Sequence, residues 1–223
     1  MENKKRTLLL ITLNEATGLN CVYDKMPIEL FDEVICVDGG STDGTVEFLE
    51  EKGVRVVRQS GAGRGCAIME GIGLANGETI VVFSPDGNED PSDIGKLVEV
   101  LEAGYDLVIA SRFCKGSRSD DAGIVHGFGN RMFTKIVNII WGSNLTDIIN
   151  GFRAFRKSRI VPLQLNARFF ALETEMTIKA IKRGYKIVEI PTYEMRRIGG
   201  RSKLNTVKGG LEVLGVILRE LIS

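Results

Sequence analysis

Histidine and tryptophan are almost missing from this chain of 223 residues, which has one of each, five prolines and four cysteines. The single histidine, His126, reads as a loop residue rather than a catalyst. The cysteines, Cys21, Cys36, Cys66 and Cys114, lack any paired metal-binding spacing, and reduced thiols in a cytosolic protein are the expectation. No apolar run approaches the ~18 residues that a membrane-spanning helix needs. The opening "MENKKRTLLLITLNE" has a basic start and an apolar stretch but no small-residue cleavage site, so it reads as a first strand rather than a signal peptide. There is also no excess charge: 29 basic residues balance 29 acidic ones, which argues against a general nucleic-acid binder. No internal repeat, low-complexity tract or linker divides the chain.

What the chain does have is alternation. Strands are expected at Thr7–Leu13, Glu33–Val37, Val54–Arg58, Thr79–Phe83 and Leu107–Ala110. Helices are expected between them at about Gly18–Met26, Thr45–Lys52, Gly65–Ala75 and Pro91–Ala103. Short, continuous apolar strands suit a parallel sheet covered on both faces, and the fold class is α/β, a Rossmann-like open sheet. After Ser111 the pattern changes. "RFCKGSRSDDAG" reads as a loop, "LTDIINGFRAFRKS" is mixed, and "MRRIGGRSKLN" is a basic, glycine-rich loop. Helices are expected at about Phe128–Trp141, Ala171–Arg183 and Thr206–Ile222, with a strand at Lys186–Ile190. The whole, 1–223, is read as one domain with two halves, 1–112 and 113–223.

In open α/β sheets, ligands bind beyond the carboxyl ends of the strands. Here each early strand delivers polar or glycine-rich chain to that edge: Asn14-Glu15, "DGGSTD", "QSGAGRG", "SPDGNEDP" and Ser111-Arg112. Asp38, at a strand tip, is a candidate to accept from a base or ribose, with Gly39 and Gly40 allowing a tight turn. Glu15 is a site candidate from its place after the first strand. Asp43 either caps the helix near Thr45 or helps to shape the site. "GAGRG" fails the dinucleotide spacing because Cys66 stands where the last glycine should be. Gly63, Arg64 and Gly65 still open a helix whose N-terminus can face a diphosphate. Asp90 and Asp93 read as helix-start residues. Asp86, between Pro85 and Gly87, can face a metal-bound diphosphate, for which Mg²⁺ or Mn²⁺ wants oxygen ligands.

"ITLNEATGL", "VDGGSTDGT", "GAGRGCAIMEGIGLANGE" and "SPDGNEDP" together resemble the ordered motifs of the family 2 glycosyltransferases with the GT-A fold. "ASRF", "DIINGFRAFRKS" and "ETEMTIKAIKRGYKIVEIPTYEMRRIGGRSK" are similar to the dolichyl-phosphate mannosyltransferase branch. Two positions depart from the pattern: Gly39 replaces an aspartate of the nucleotide motif, and Ser84 replaces the first aspartate of D-x-D, leaving Asp86 alone. The resemblance implies inverting transfer of a hexose from a GDP-mannose- or UDP-glucose-type donor. It places Leu13, Glu15, Asp38, Gly40, Ser41, Gly63, Arg64 and Asp86 at the nucleotide sugar, and Asp86 with Asn88 at a divalent cation. The acceptor it implies is a polyprenyl or dolichyl phosphate, held by Ser111, Arg112, Arg201 and Lys203 and needing no strong base. A hydroxyl acceptor on a glycan or glycolipid would require a carboxylate base, for which Glu175 and Asp147 are candidates. A sugar-nucleotide-binding protein without catalysis is a third reading, prompted by Ser84. Arg196 and Arg197 read as a solvated basic loop. The last helix carries Val207, Leu211, Leu214, Leu218 and Leu221 on one face, fitting peripheral contact with the cytoplasmic side of a membrane or, equally, packing on the domain or on a second copy in a homodimer.

Overall fold

The computed structural model describes residues 5–121, 124–198 and 206–223. Arg201 and Lys203 lie outside them, so their expected roles are carried by the sequence alone. The elements run β1 (Arg6–Thr12), α1 (Ala16–Val22), β2 (Glu33–Asp38), α2 (Thr45–Glu51), β3 (Arg55–Arg58), α3 (Arg64–Leu74), β4 (Thr79–Phe83), α4 (Asp93–Glu102) and β5 (Leu107–Ser111). There follow β6 (Arg118–Ser119), α5 (Ile124–Trp141), β7 (Arg153–Arg156), α6 (Lys157–Ile160), α7 (Leu172–Lys182), β8 (Ile187–Pro191), β9 (Tyr193–Glu194) and α8 (Thr206–Leu221). The backbone of α5 starts early enough to include His126, which is helical rather than in a loop.

The main sheet has seven strands in the order β3-β2-β1-β4-β7-β5-β8. All its pairings are parallel except those of β7, which runs antiparallel to both β4 and β5. β6 and β9 form a separate parallel pair. Alternate side chains of each strand serve opposite layers. Leu9 and Ile11 of β1 pack with α3, α5, α7 and α8 on one face. Leu8 and Leu10 pack with α1, α2 and α4 on the other.

β7 is the strand that the apolar pattern did not reveal. Arg153 opens it with 1% of its surface exposed. Its guanidinium donates to the carbonyl oxygens of Asn150 and Glu173 and to the Thr177 hydroxyl. Burial draws its pKa down to about 10 despite the favourable charge of Glu173. A charged residue in a central strand is tolerated here because those oxygens satisfy the buried N–H groups.

The chain reverses its direction of travel across the sheet between β1 and β4, which makes their carboxyl ends the switch point. The β1–α1 and β4–α4 connections meet there. A Cβ at Gly18 would lie 2.3 Å from the Pro85 carbonyl oxygen, so only glycine admits this contact.

Candidate active site

Asp38 closes β2 and shapes the turn after it. One carboxylate oxygen accepts from the backbone N–H groups of Gly40 and Ser41, both at 2.7 Å. The other accepts from the hydroxyls of Thr12, at 2.8 Å, and Ser41. A carboxylate offers about four lone-pair directions, and all are engaged. Asp38 is therefore part of the frame as well as a neighbour of the crevice. Gly40, at φ 98°, occupies the left-handed region that lets two successive N–H groups face one carboxylate.

The β1 end is stapled to this turn. Asn14 N donates to Ser41 Oγ at 2.7 Å, and Thr42 N donates to Asn14 Oδ1 at 2.8 Å. Leu13 stands against Gly39, where a Cβ would lie 3.3 Å from that of Leu13, a tight place for the aspartate common in related motifs. Asp43 accepts from Ala16 N, Thr45 N and the Thr45 hydroxyl, so it joins both helix starts. Partial burial raises the Asp43 pKa, but these bonds outweigh it and hold it below the ordinary carboxyl value.

The third strand end differs from expectation. A Cβ on Gly63 would stand 2.4 Å from the Arg168 carbonyl oxygen, and one on Gly65 would stand 2.6 Å from that of Ala167. Cys66 N donates to the Arg168 carbonyl at 3.0 Å. The glycines at the start of α3 thus make room for the chain at 167–169, which covers the helix end that was expected to face a diphosphate. Arg64 does reach the site. It pairs with Glu173 at 3.0 Å and donates to Ser84 Oγ at 2.7 Å.

The loop after β4 is built on its own carboxylates. Asp86 Oδ1 accepts from Asn88 N at 3.0 Å, and Glu89 Oε2 accepts from Ser84 N at 2.7 Å. Asn88 Nδ2 donates to Asp121 at 2.9 Å. Asp86 is 5% exposed, and burial raises its pKa although Arg197 opposes the shift. Burial and the neighbouring charge of Asp86 push the Glu89 carboxyl up to about 8.

Arg197 is the residue that sequence reasoning placed in solvent. Its guanidinium lies 2.6 Å from Asp86 Oδ2 and 3.4 Å from Glu15 Oε1. Nothing local signals this, because the partners are far away in the chain.

Beyond β5 the expected acceptor residues are engaged in structure. Ser111 is fully buried, sharing a hydrogen bond with Thr146 and accepting from the N–H groups of Phe113 and Cys114. Its burial removes it from contact with an acceptor phosphate. Arg112 is held by Asp147 at 2.7 and 3.0 Å and by Glu194 at 3.1 Å. Asp147 is itself fully buried, and Arg112 holds it ionised against the effect of burial, with its pKa below the ordinary value. A small cleft lined by Asn88, Glu89, Arg112, Asn150, Tyr193 and Glu194 opens beside this pair.

Glu175, named as a base, is fully buried. One oxygen accepts from the backbone N–H groups of Asn166, at 2.9 Å, and Ala167, at 2.7 Å. The other lies 2.8 Å from Lys179 and 2.9 Å from Arg219. It ties α7 to α8 and to the loop before it, a scaffold arrangement that leaves no oxygen for a substrate.

Comparison with known proteins agrees with this architecture. Residues 9–160 match the family model described as Glycosyl transferase family 2. The chain is similar to glycosyltransferase AglJ of Haloferax volcanii, 34% identical over 96% of this chain and 70% of that protein. It is also similar to a dolichyl-phosphate hexose transferase of the same organism, 30% identical over 81% of this chain and 77% of that one. Among solved structures, glucosyl-3-phosphoglycerate synthase from Mycobacterium tuberculosis, crystallised with Mn²⁺, UDP and glucosyl-3-phosphoglycerate, superposes with a TM-score of 0.81. That likeness, at 20% identity over 98% of this chain and 80% of that one, speaks for the fold alone, which is GT-A. The family match over most of the chain, the AglJ likeness and the strand-end crevice agree: this chain belongs to glycosyl transferase family 2, and it is a glycosyltransferase.

Proposed function

We propose that this glycosyltransferase moves a hexose from a nucleotide diphosphate sugar to a polyprenyl or dolichyl phosphate, with inversion. The observation that carries the donor side is the meeting of the Asp38 turn, the Asn14-Glu15 segment and Asp86 at one switch point. The likeness to a dolichyl-phosphate hexose transferase supports the acceptor.

A divalent cation fits the residues present. Asp86 and Glu15 together take a positive group, the Arg197 guanidinium, so their carboxylates suit a cation that displaces it. Asp86 would hold the ion, with the side-chain oxygen of Asn88 beside it. When bound, Mg²⁺ or Mn²⁺ would offset the charge that develops on the leaving diphosphate. The protein contributes the rest. The Asp38 turn fixes the strand ends, Glu89 holds the Ser84 backbone and thereby the loop of Asp86, with Arg64 beside it, and the buried frame keeps these groups in place before substrate arrives.

The described residues contain no helix long and apolar enough to cross a membrane. Val207, Leu211, Leu214, Leu218 and Leu221 are exposed on α8, between 39% and 73%, and Phe128 and Ile139 of the adjoining α5 are exposed at 69% and 73%. This apolar surface supports peripheral contact with a membrane that carries the acceptor.

One observation favours a second reading. The Arg112 charge is matched by Asp147 and Glu194, and Glu89 lines the same cleft. Such a cleft suits a hydroxyl acceptor better than a phosphate. The deciding experiment offers GDP-mannose and UDP-glucose with Mn²⁺, and compares dolichyl phosphate with glycan hydroxyl acceptors. Transfer to dolichyl phosphate supports the first reading. Transfer only to hydroxyls replaces it with the second, and donor binding without transfer to either defeats both.

A further inference from the structure

We infer that Arg197 and a divalent cation compete for Asp86, so that the cation enters with the diphosphate of the donor rather than before it. The inference rests on the proposed cation-using donor site and goes beyond it, to the order in which that site fills.

The geometry makes Arg197 a resident counter-ion. It contacts Asp86 Oδ2 at 2.6 Å and Glu15 Oε1 at 3.4 Å. Its backbone is anchored on both sides to the same loop. Met195 N donates to the Asn88 carbonyl at 2.9 Å, and Ile198 N donates to the Asp86 carbonyl at 3.3 Å. The Ile198 side chain closes over Gly87, where an added Cβ would meet it at 2.6 Å. The guanidinium is therefore set against Asp86 by the chain on either side of it.

The other carboxylates of the loop are engaged: Glu89 accepts from Ser84 N and Asp90 from Ser92 N. Ser84 stands where a second aspartate would, and its hydroxyl accepts from Arg64. One oxygen of Asp86 accepts from Asn88 N, and the other faces Arg197. A bare dication arriving at Asp86 would meet a guanidinium at the same oxygen, and like charges at such range repel strongly in a buried place. A donor diphosphate changes this balance. Its anionic oxygens ligate the dication and also offer the displaced guanidinium a new partner. Cation and diphosphate then bind with positive coupling, and coupling of this kind is reciprocal. Arg197 acts as a positioning residue: it holds the Asp86 side chain in place while the cation is away.

The test measures free Mn²⁺ by its electron paramagnetic resonance signal, with the full chain, alone and with GDP or UDP. Wild type should bind Mn²⁺ at least tenfold more tightly when the nucleotide that it recognises is present. Arg197→Gln should bind Mn²⁺ alone at least tenfold more tightly than wild type, and should show a smaller gain from nucleotide. Arg197→Lys, which keeps the charge, should lie nearer to wild type and guards against a folding artefact in the glutamine variant. Arg196→Gln removes the same charge one residue away and should behave as wild type. Equal or weaker Mn²⁺ binding by Arg197→Gln overturns the inference while leaving the cation reading standing. An equal gain in Arg196→Gln overturns it too, by reducing the effect to net charge. If no form binds Mn²⁺ with either nucleotide, the cation reading falls and takes the inference with it.

Discussion

Arg112 and Asp147 meet as two forks: Nε lies 2.7 Å from Oδ2, and Nη2 lies 3.0 Å from Oδ1. The second Asp147 contact is reinforced by Asn130, which donates to the same Oδ1 at 2.7 Å. Asp147 is fully buried and the Arg112 side chain is 18% exposed, so removing Asp147 leaves Arg112 with Glu194 alone and orphans the N–H groups that Asp147 accepts from. Asp147→Ala should cost about 3–5 kcal/mol of folding stability. Urea unfolding checks this, and a loss below ~1 kcal/mol would mean that water reaches Arg112 freely.

Asp38→Ala removes the acceptor of two backbone N–H groups and two hydroxyls. A loss of roughly 1–3 kcal/mol in stability is expected from the orphaned groups alone. Nucleotide affinity should fall with it, because the Ser41 turn loses its shape. Calorimetry with GDP and UDP is the second readout, and undiminished affinity would confine Asp38 to the frame.

Asp86→Asn keeps the size of the side chain and removes its charge. Cation-dependent turnover should drop on the order of a thousandfold. Ser84→Ala should be tolerated, since Arg64 keeps Glu173 and the Ser84 backbone N–H keeps Glu89. Rates for both variants across a Mn²⁺ series check the pair, and full activity in Asp86→Asn would move the chemistry elsewhere.

Glu33 gives a pH prediction. Burial raises its pKa, but bonds from Thr7, Asn76 and Gly77 outweigh this and bring it below the ordinary 4.5. A depressed carboxyl stabilises the fold above its unfolded pKa, and that contribution is lost as pH falls through the folded value. Glu33→Gln should therefore melt below wild type at pH 7, and the gap should close as pH drops below 4.5. A gap that stays constant with pH would assign the effect to shape rather than charge.

The apolar face of α8 points away from its own core, which receives Val213, Val216 and Ile217 instead. Packing on its own domain is therefore excluded for Leu211 and Leu218, at 64% and 54% exposure. Leu211→Asp combined with Leu218→Asp should abolish cosedimentation with anionic liposomes and leave the melting temperature nearly unchanged. If wild type fails to sediment with vesicles and instead elutes as a dimer, a second copy covers the face.

Much of this was legible in the chain. The runs at Leu8–Ile11, Ile35–Val37, Ile80–Phe83 and Leu107–Ala110 are apolar because both faces of a parallel sheet are covered, and their short, continuous character between helical stretches locates them. β7 escaped because Arg153 and Arg156 bound it, and its membership depends on partners from β4 and β5. Asp86 was visible as the carboxylate at a strand end. Arg197 was not, since a basic residue beside glycines looks the same whether it faces solvent or an aspartate more than a hundred positions earlier. Glu175 misled in the opposite way. Its helical neighbour Lys179 can be read from spacing, but its bonds to the backbone at Asn166 and Ala167 cannot.

The single antiparallel strand also sets a schedule for synthesis. β4 and β5 both wait for β7, which is made some forty residues after β5. A nascent chain that ends near Arg112 would leave one edge of β4 and both edges of β5 unpaired, and such edges invite association with other chains. Slow, late closure follows from contacts so distant in sequence. A fragment of residues 1–112 should then aggregate when expressed alone, whereas one extended past β8 could close its sheet. The insertion of four residues, Arg153 to Arg156, would be the step that converts two sets of strands into one molecule.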